Sequence, residues 1–354
     1  MRIVHIADCH LMAEPEKGTK LGKLRKQEII DSFSRIIDVC NDVGADLLLI
    51  AGDLFHTAPR LKDLKEVDYL FGKLVKTRVV LIAGNHDYIG PRSFYRNYEW
   101  QGPVTMITDS EMTHVTFSDI RTSVYGFSYP TRDVREPLYD DVKAVGDGIQ
   151  ILLAHGGDEK NVPMNLKKIA LNGFEYVALG HIHKPEIVGE RMAYAGSLEP
   201  LDRNETGARG YMLVDITGEE EPYTTVMEFV PFSVREYRDL ELTVSGDDTN
   251  GSIKDRLKAM IQENGEQHMY RVDITGKHEA DMSLDCDSLM NCGFITEIND
   301  RSLPEFDIEG LQKANSDNLI GMFIDALSNA ETPEERAMQE KAMYYGLEAL
   351  LHRE

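Results

Sequence analysis

Five places along the chain set residues of one chemical kind directly after a short apolar run. Asp8-Cys9-His10 follows Ile3 to Ala7, Gly52-Asp53 follows Leu47 to Ala51, and Gly84-Asn85-His86-Asp87 follows Val79 to Ala83. His155-Gly156 follows Ile149 to Ala154, and Gly180-His181-Ile182-His183 follows Tyr176 to Leu179. In layered α/β proteins the loops past the carboxyl ends of strands are where sites assemble, so five such tips can converge on one point. In an extended tip Asp8 and His10 point the same way with Cys9 opposite, and His181 and His183 do the same about Ile182. Each pair is then a two-tooth clamp whose middle residue turns to the core; Cys9 is accordingly read as a core cysteine. Glycine at 52, 84, 156 and 180 admits close backbone approach.

Asp8, His10, Asp53, Asn85, His155, His181 and His183 make seven donors, too many for one tetrahedral zinc but suited to two ions that share a carboxylate. Imidazole, carboxylate and amide donors without thiolate favour Mn²⁺, with Fe²⁺ or Mg²⁺ as alternatives. Two ions about 3.5–4 Å apart can activate a water and clamp the oxygens of a phosphoryl group. Outside this set, His5 and His114 are expected to be ordinary core or surface histidines, and Asp158 and Asp202 solvated loop residues.

The five apolar runs are nearly continuous, as in strands covered on both faces. Between the first two, Ile29, Phe33, Ile36 and Cys40 recur at helical spacing up to Gly44, and a second helix is expected over Leu61 to Lys76. This is a β/α layered pattern. After Arg191 three segments, Ala193 to Ser197, Tyr211 to Ile216 and Thr224 to Val230, read as antiparallel and are expected to complete a second sheet. Past Pro231, strands at Tyr237 to Val244, Tyr270 to Thr275 and Phe294 to Ile298 alternate with helices at Ile253 to Glu263 and Leu284 to Asn291. Two terminal helices, Ile308 to Leu327 and Pro333 to Leu351, follow, the second opened by a Thr332/Glu335 capping box.

The ordered blocks resemble the calcineurin-like metallophosphoesterase superfamily, with its D-x-H, G-D, G-N-H-[DE], H and G-H-x-H pattern over residues 8 to 183. Gly52-Asp53-Leu54-Phe55-His56 with Pro59, and Tyr194-Ala195-Gly196-Ser197 with Glu205, Gly207 and Gly210, are similar to the SbcD-type DNA-repair exonucleases. The resemblance implies a four-layer α/β sandwich, two mixed sheets flanked by helices, over residues 1–230. It also implies an α+β capping domain over 231–300 and partner-docking helices over 301–354. It implies that Asp8, His10, Asp53 and His183 hold one ion and Asp53, Asn85, His155 and His181 the other. His86 would face the scissile phosphate, Asp87 would orient His86, and His56 would position the phosphate. It further implies a homodimer, formed by the helices around Leu61 to Lys76 and after Asp87, and an SbcC-like coiled-coil ATPase partner. The expected activity is metal-dependent cleavage of DNA. Hydrolysis of nucleotides or other small phosphoesters is the rival reading, and a scaffold presenting the capping module is a second.

Composition sets limits on these readings. The 354 residues suit about two domains, and 42% apolar content excludes collagen-like and disordered classes. Four cysteines without C-x-x-C spacing point to a reducing interior. With neither a signal-like leader nor an apolar run of about 20 residues, a cytoplasmic, non-membrane protein is expected. The net charge of −23 argues against a phosphate-backbone partner. The excess is uneven, however: residues 231–354 carry 26 acidic and 12 basic side chains, and residues 1–230 carry 35 and 26. Asp8 and Asp53 would also lie under divalent cations that change the local sign. Lys20, Lys23, Arg25 and Lys26, in a loop after His10, and Arg92, in an aromatic-rich stretch, are the candidate DNA contacts.

Overall fold

In the computed structural model, which describes residues 1–330 and 332–351, the strands of the first half divide their side chains between two cores. In β1 (Arg2–Ile6) Val4 and Ile6 face one apolar cluster and Ile3 another; in β2 (Leu47–Ala51) Leu48 and Ile50 oppose Leu47, Leu49 and Ala51. Both faces are therefore covered, which is why these runs lack polar alternation. The first core lies against α1 (Lys20–Asp42) and α2 (Leu61–Phe71), through Ile29, Phe33, Ile36 and Cys40 of α1 and Leu64, Val67 and Phe71 of α2. α2 ends at Phe71, short of the expected Lys76.

β3 (Arg78–Ile82), β4 (Val104–Met106), β11 (Gly210–Thr217) and β12 (Thr224–Pro231) complete the first sheet, in the order β12-β11-β1-β2-β3-β4. The second sheet is built from β5 (Thr113–Phe117), β6 (Thr122–Gly126), β7 (Ile149–His155), β8 (Tyr176–Gly180), β9 (Glu186–Ile187) and β10 (Met192–Tyr194), in the order β5-β6-β7-β8-β10-β9. Val124, Ile151, Leu153, Tyr176 and Ala178 meet the inner face of the first sheet, while Leu152, Ala154, Val177 and Leu179 pack outward on Phe127, Tyr139 and the short α3 (Leu166–Ile169). The four-layer α/β architecture of two mixed sheets flanked by helices is thus the observed fold.

Its assembly differs from expectation in one respect. The segments after Arg191 do not form one antiparallel group: β10 runs parallel to β8, whereas the β11–β12 hairpin extends the first sheet by pairing antiparallel to β1. The reason is apolar cover. Met212, Val214 and Ile216 fill the inter-sheet core beside Ile3, and Tyr211 and Leu213 serve the outer one.

Met1–Tyr237 and Arg238–Glu354 form two compact units. In the second, β13 (Tyr237–Val244), β14 (Met269–Glu279) and β15 (Phe294–Asp300) lie in that order, with β16 (Leu303–Glu305) also paired to β14. Ile253, Leu257 and Ile261 of α4 (Asn250–Asn264) and Leu289 of α5 (Cys286–Leu289) close their core. The single helix expected over Ile308 to Leu327 is instead α6 (Ile308–Ala314) and α7 (Leu319–Ala326), because the Asn318 side chain accepts from Ile320 N and Gly321 N and starts a new helix. α8 (Pro333–Leu351) opens on the expected reciprocal bonds of Thr332 and Glu335; residues 331 and 352–354 of the expected docking segment lie outside the described residues. Among the described residues no helix is long and apolar enough to cross a membrane.

Candidate active site

The ends of β1, β2, β3, β7 and β8 meet. Backbone bonds tie the first two tips together, Asp8 N to Gly52 O at 3.1 Å and His10 N to Asp53 O at 3.0 Å. Two carboxylates then tie in the tips of β3 and β8, where His86 N donates to Asp53 Oδ1 at 2.8 Å and His181 N to Asp8 Oδ2 at 2.9 Å, and His155 Nδ1 ties in that of β7 through Ala51 O at 2.8 Å. The approach is close enough that a Cβ on Gly84 would stand 2.3 Å from Asp53 Oδ1 and 2.7 Å from His155 Nε2, which only glycine avoids.

The tips are not the extended clamps expected from strand geometry. Asp8 (φ 50°), His10 (φ 44°), Asp53 (φ 51°) and His181 (φ 90°) all occupy positive φ, which is uncommon outside glycine. The chain curls at each, so the side chains converge by local turns that the inter-tip bonds hold in place. Cys9 still turns into the core, as expected.

All seven expected donors are brought together. His10 Nε2 and His155 Nε2 lie 3.7 and 3.6 Å from the same atom, Asp53 Oδ2. His183 Nε2 is 3.1 Å from His10 Nε2 and 4.0 Å from Asp8 Oδ1, and Asn85 Oδ1 is 2.9 Å from His155 Nε2. Ligand atoms of Asp8, His10 and His183, and of Asp8, Asp53 and His155, form groups within 4.8 Å, as do those of His10, His56 and His86. The His181 ring stands edge-on to that of His155, with centroids 5.2 Å apart.

The electrostatics suit cations. Burial pushes the Asp8 carboxyl up, against the pull of His183 and His181; burial and then the charges of Asp87 and Asp8 push Asp53 well above the carboxylate range. Burial and neighbouring imidazoles hold His10 and His155 well below the ordinary histidine range, so both are neutral with lone pairs to offer. For His183 burial works downward, but the bond to Glu205 and the charge of Asp8 outweigh it. Buried carboxylates and neutral imidazoles around shared points are a donor set that fits divalent ions.

His86 sits at the rim. Its Nδ1 donates to the His56 carbonyl at 3.0 Å, and its ring stacks on that of exposed His56 with centroids 5.2 Å apart. Asp87 does not orient it. Fully buried, Asp87 accepts from Gly84 N at 2.8 Å, Tyr95 OH at 3.0 Å and Phe55 N at 3.3 Å, and braces the loop from below. Burial moves its carboxyl up to about 6 against those bonds.

The basic residues divide. Thr19 accepts from Gly22 N and caps α1 at Lys20, so Lys20, Lys23, Arg25 and Lys26 are helical, not in a loop. Lys20, Lys23 and Arg92 are exposed and Lys26 is half-buried. Arg25 is wrongly placed among the candidate DNA contacts: fully buried, its guanidinium meets Glu28 at 2.6 Å and Glu199 at 2.7 Å, which leaves no face for a phosphate.

Other groups reach the site from outside the five blocks. Asp158, an exposed loop residue as expected, also lies 2.7 Å from His181 Nε2, and Glu205 lies 2.5 Å from His183 Nδ1. Exposed Arg132 is near enough for its charge to act on Asp53 and His86. Two sequence cues exist: Asp158 stands three residues after His155, and Glu205 belongs to the segment after Tyr194-Ala195-Gly196-Ser197 that resembles the SbcD-type exonucleases.

Residues 1–185 match the family model described as calcineurin-like phosphoesterase. The "DNA double-strand break repair protein Mre11" of Methanocaldococcus jannaschii is 30% identical over 270 residues, 68% of this chain and 69% of that protein. The "uncharacterized metallophosphoesterase YhaO" of Bacillus subtilis is 28% identical over 63% of this chain, which spans 59% of its length. The Mre11 protein of Halobacterium salinarum is 24% identical over 86% of this chain and 79% of its own.

Proposed function

The chain belongs to the calcineurin-like phosphoesterase family, and from that premise we propose that it is a two-metal phosphodiesterase that cleaves DNA, a nuclease of the SbcD and Mre11 type. The observation that carries the reading is the pair of donor groups about one atom, Asp53 Oδ2. Asp8, His10, Asp53 and His183 hold one ion; Asp53, Asn85, His155 and His181 hold the other. The ions, Mn²⁺ foremost, supply an activated water and a clamp on the phosphoryl oxygens. His86, with Nδ1 engaged by the His56 carbonyl, turns Nε2 toward the substrate, where it stabilises charge at a phosphoryl oxygen or serves the leaving group. His56 supports that ring and meets the phosphate beside it.

The DNA assignment draws on the relatives named for double-strand break repair. Exposed Lys20, Lys23 and Arg92, with Lys26, are its candidate backbone contacts. The protein works in the cytoplasm as a homodimer with an SbcC-like coiled-coil ATPase; its four free cysteines suit a reducing compartment.

The test is incubation with blunt duplex DNA in Mn²⁺, with and without an SbcC-like coiled-coil ATPase. Shortening of the DNA, lost in His86→Ala by roughly 10²–10⁴-fold while Mn²⁺ binding is kept, is the expected result. Hydrolysis of a small chromogenic diester with DNA untouched under both conditions would replace the nuclease by a small-substrate phosphodiesterase.

A further inference from the structure

A sixth strand end stands beside the five that carry the motif blocks. β6 runs parallel to β7, so the chain leaves it at Gly126 on the side where β7 ends in His155. Loops past the carboxyl ends of strands build sites in layered α/β folds, yet this one, residues 127–134, supplies none of the seven donors. What it carries instead is Arg132.

The loop is fixed at both ends by elements of the site. Tyr129 N donates to Ala83 O at 3.1 Å and Tyr129 O accepts from Ile89 N at 2.7 Å, one contact on each side of residues 84–87. Tyr129 OH donates to His155 O at 2.9 Å, and the two rings meet edge-on with centroids 5.4 Å apart. At the other end Val134 N donates to Lys160 O at 3.0 Å and Val134 O accepts from Val162 N at 2.6 Å, which ties it to the loop whose Asp158 touches His181. Between these anchors Thr131 Oγ1 donates to Asp133 O at 2.9 Å and closes a bend over Arg132. Four residues between two buried anchors leave little slack, so the guanidinium is presented at the rim of the site.

Arg132 is exposed and, among the described residues, has no hydrogen bond or ion pair. The adjacent Asp133 lies 3.8 Å from Arg135 Nη2 instead. The charge of Arg132 nevertheless reaches Asp53 and His86. A guanidinium has no lone pair with which to ligate a cation, and beside two divalent ions it is repelled unless an anion lies between. Its planar fork of donors fits a phosphate. The ions and His86 already serve the oxygens of the phosphate being cut, which leaves Arg132 for the next phosphate of the strand.

We propose that Arg132 is a substrate-binding residue that holds the phosphate next to the scissile one and thereby favours a polynucleotide over a small phosphodiester. This role rests on the nuclease reading above and adds a source of substrate choice.

The experiment compares the unaltered full chain with Arg132→Ala and Arg132→Lys in Mn²⁺ with an SbcC-like ATPase present, on a fluorescent blunt duplex and on bis-p-nitrophenyl phosphate. Arg132→Ala should raise KM for the duplex by about 10–100-fold, with the loss in KM rather than kcat, and should lower kcat/KM for the duplex at least about 10-fold more than for the diester. The slope of duplex affinity against salt should shrink by about one phosphate contact. Arg132→Lys keeps the charge but not the fork, so it should keep the slope and recover part of the affinity. No loss, equal losses on the two substrates, or a loss in kcat with the salt slope intact would overturn the role of Arg132 and leave the nuclease reading standing. A lower Mn²⁺ stoichiometry in Arg132→Ala would equally overturn it, because a guanidinium that ligates nothing is not needed to hold the ions. A duplex left intact by the unaltered protein while the diester is hydrolysed would overturn the nuclease reading, and this role with it.

Discussion

Within Met1–Tyr237 the buried polar side chains include Asp8, Asp53, Asp87, His155, Arg25 and Glu199, whereas within Arg238–Glu354 His268 is the one buried polar side chain among the described residues. The second unit keeps its ion pairs in solvent, Arg271 with Asp239 and Arg256 with Asp248 for example. Both units are apolar cores of strands and helices, so the difference is not one of fold class. Burying a charge without full compensation is costly, and it is found where something must be recognised or held. The first unit accepts that cost at its strand tips and along α1; the second follows the ordinary rule that charges stay wet.

The contrast can be broken most decisively at Asp53. Asp53→Asn should abolish binding of both ions in a Mn²⁺ titration and lower turnover by more than the roughly 10²–10⁴-fold typical of losing one acid–base group. It should also raise the thermal midpoint of the metal-free protein, because burial and the charges of Asp87 and Asp8 disfavour the carboxylate in the fold. A midpoint that falls would mean that the buried charge stabilises the unit after all.

Next comes Arg25, whose buried pairs with Glu28 and Glu199 join α1 to the segment carrying Glu199. Arg25→Ala leaves both carboxylates short of a partner and should cost about 3–5 kcal/mol in urea unfolding.

His5 offers a smaller, pH-dependent test. It lies between the two sheets with Nδ1 2.7 Å from Tyr176 OH, and burial lowers its pKa from 6.5 to about 3. The fold therefore prefers the neutral ring: its contribution is complete above about pH 6.5 and is lost progressively as the pH falls toward 3. Urea midpoints measured between pH 7 and 4 should fall less steeply in His5→Gln than in the unaltered protein.

The smallest effect is expected at Arg271. Its contacts with Asp239, 2.8 and 2.9 Å long, are solvent-exposed, and Arg271→Ala should leave the thermal midpoint within experimental scatter. A loss matching that of Arg25→Ala would erase the distinction between the units.

Some of this was legible in the residues and some was not, for physical reasons. The five long apolar runs announced β1, β2, β3, β7 and β8, because a strand covered on both faces has no polar alternation to blur it. β5 (Thr113–Phe117), half exposed along its length, and the two-residue β9 offered no such run. Which sheet β11 and β12 would join depended on apolar cover across the molecule, which a local pattern does not carry. At the site, the ordered blocks identified the residues that meet, but not how the backbone turns to bring them there. Aspartate and histidine enter positive φ more readily than most residues, so nothing at Asp8 or His10 marks the departure from an extended tip. Asp87, similarly, reads as a partner for its neighbour His86, yet its carboxylate faces inward to Tyr95.

The positive φ at Asp8, His10, Asp53 and His181 narrows, from a second direction, the range of residues these positions can accept. Valine, isoleucine and threonine are strongly disfavoured by the backbone before any question of chemistry arises, Val162 (φ 38°) being the one β-branched exception among the described residues. If selection on the reaction were relaxed, drift at these four positions would run toward asparagine and glycine and away from aliphatic filling. A decayed descendant of this site would be recognised by asparagine and glycine standing in an otherwise intact apolar frame.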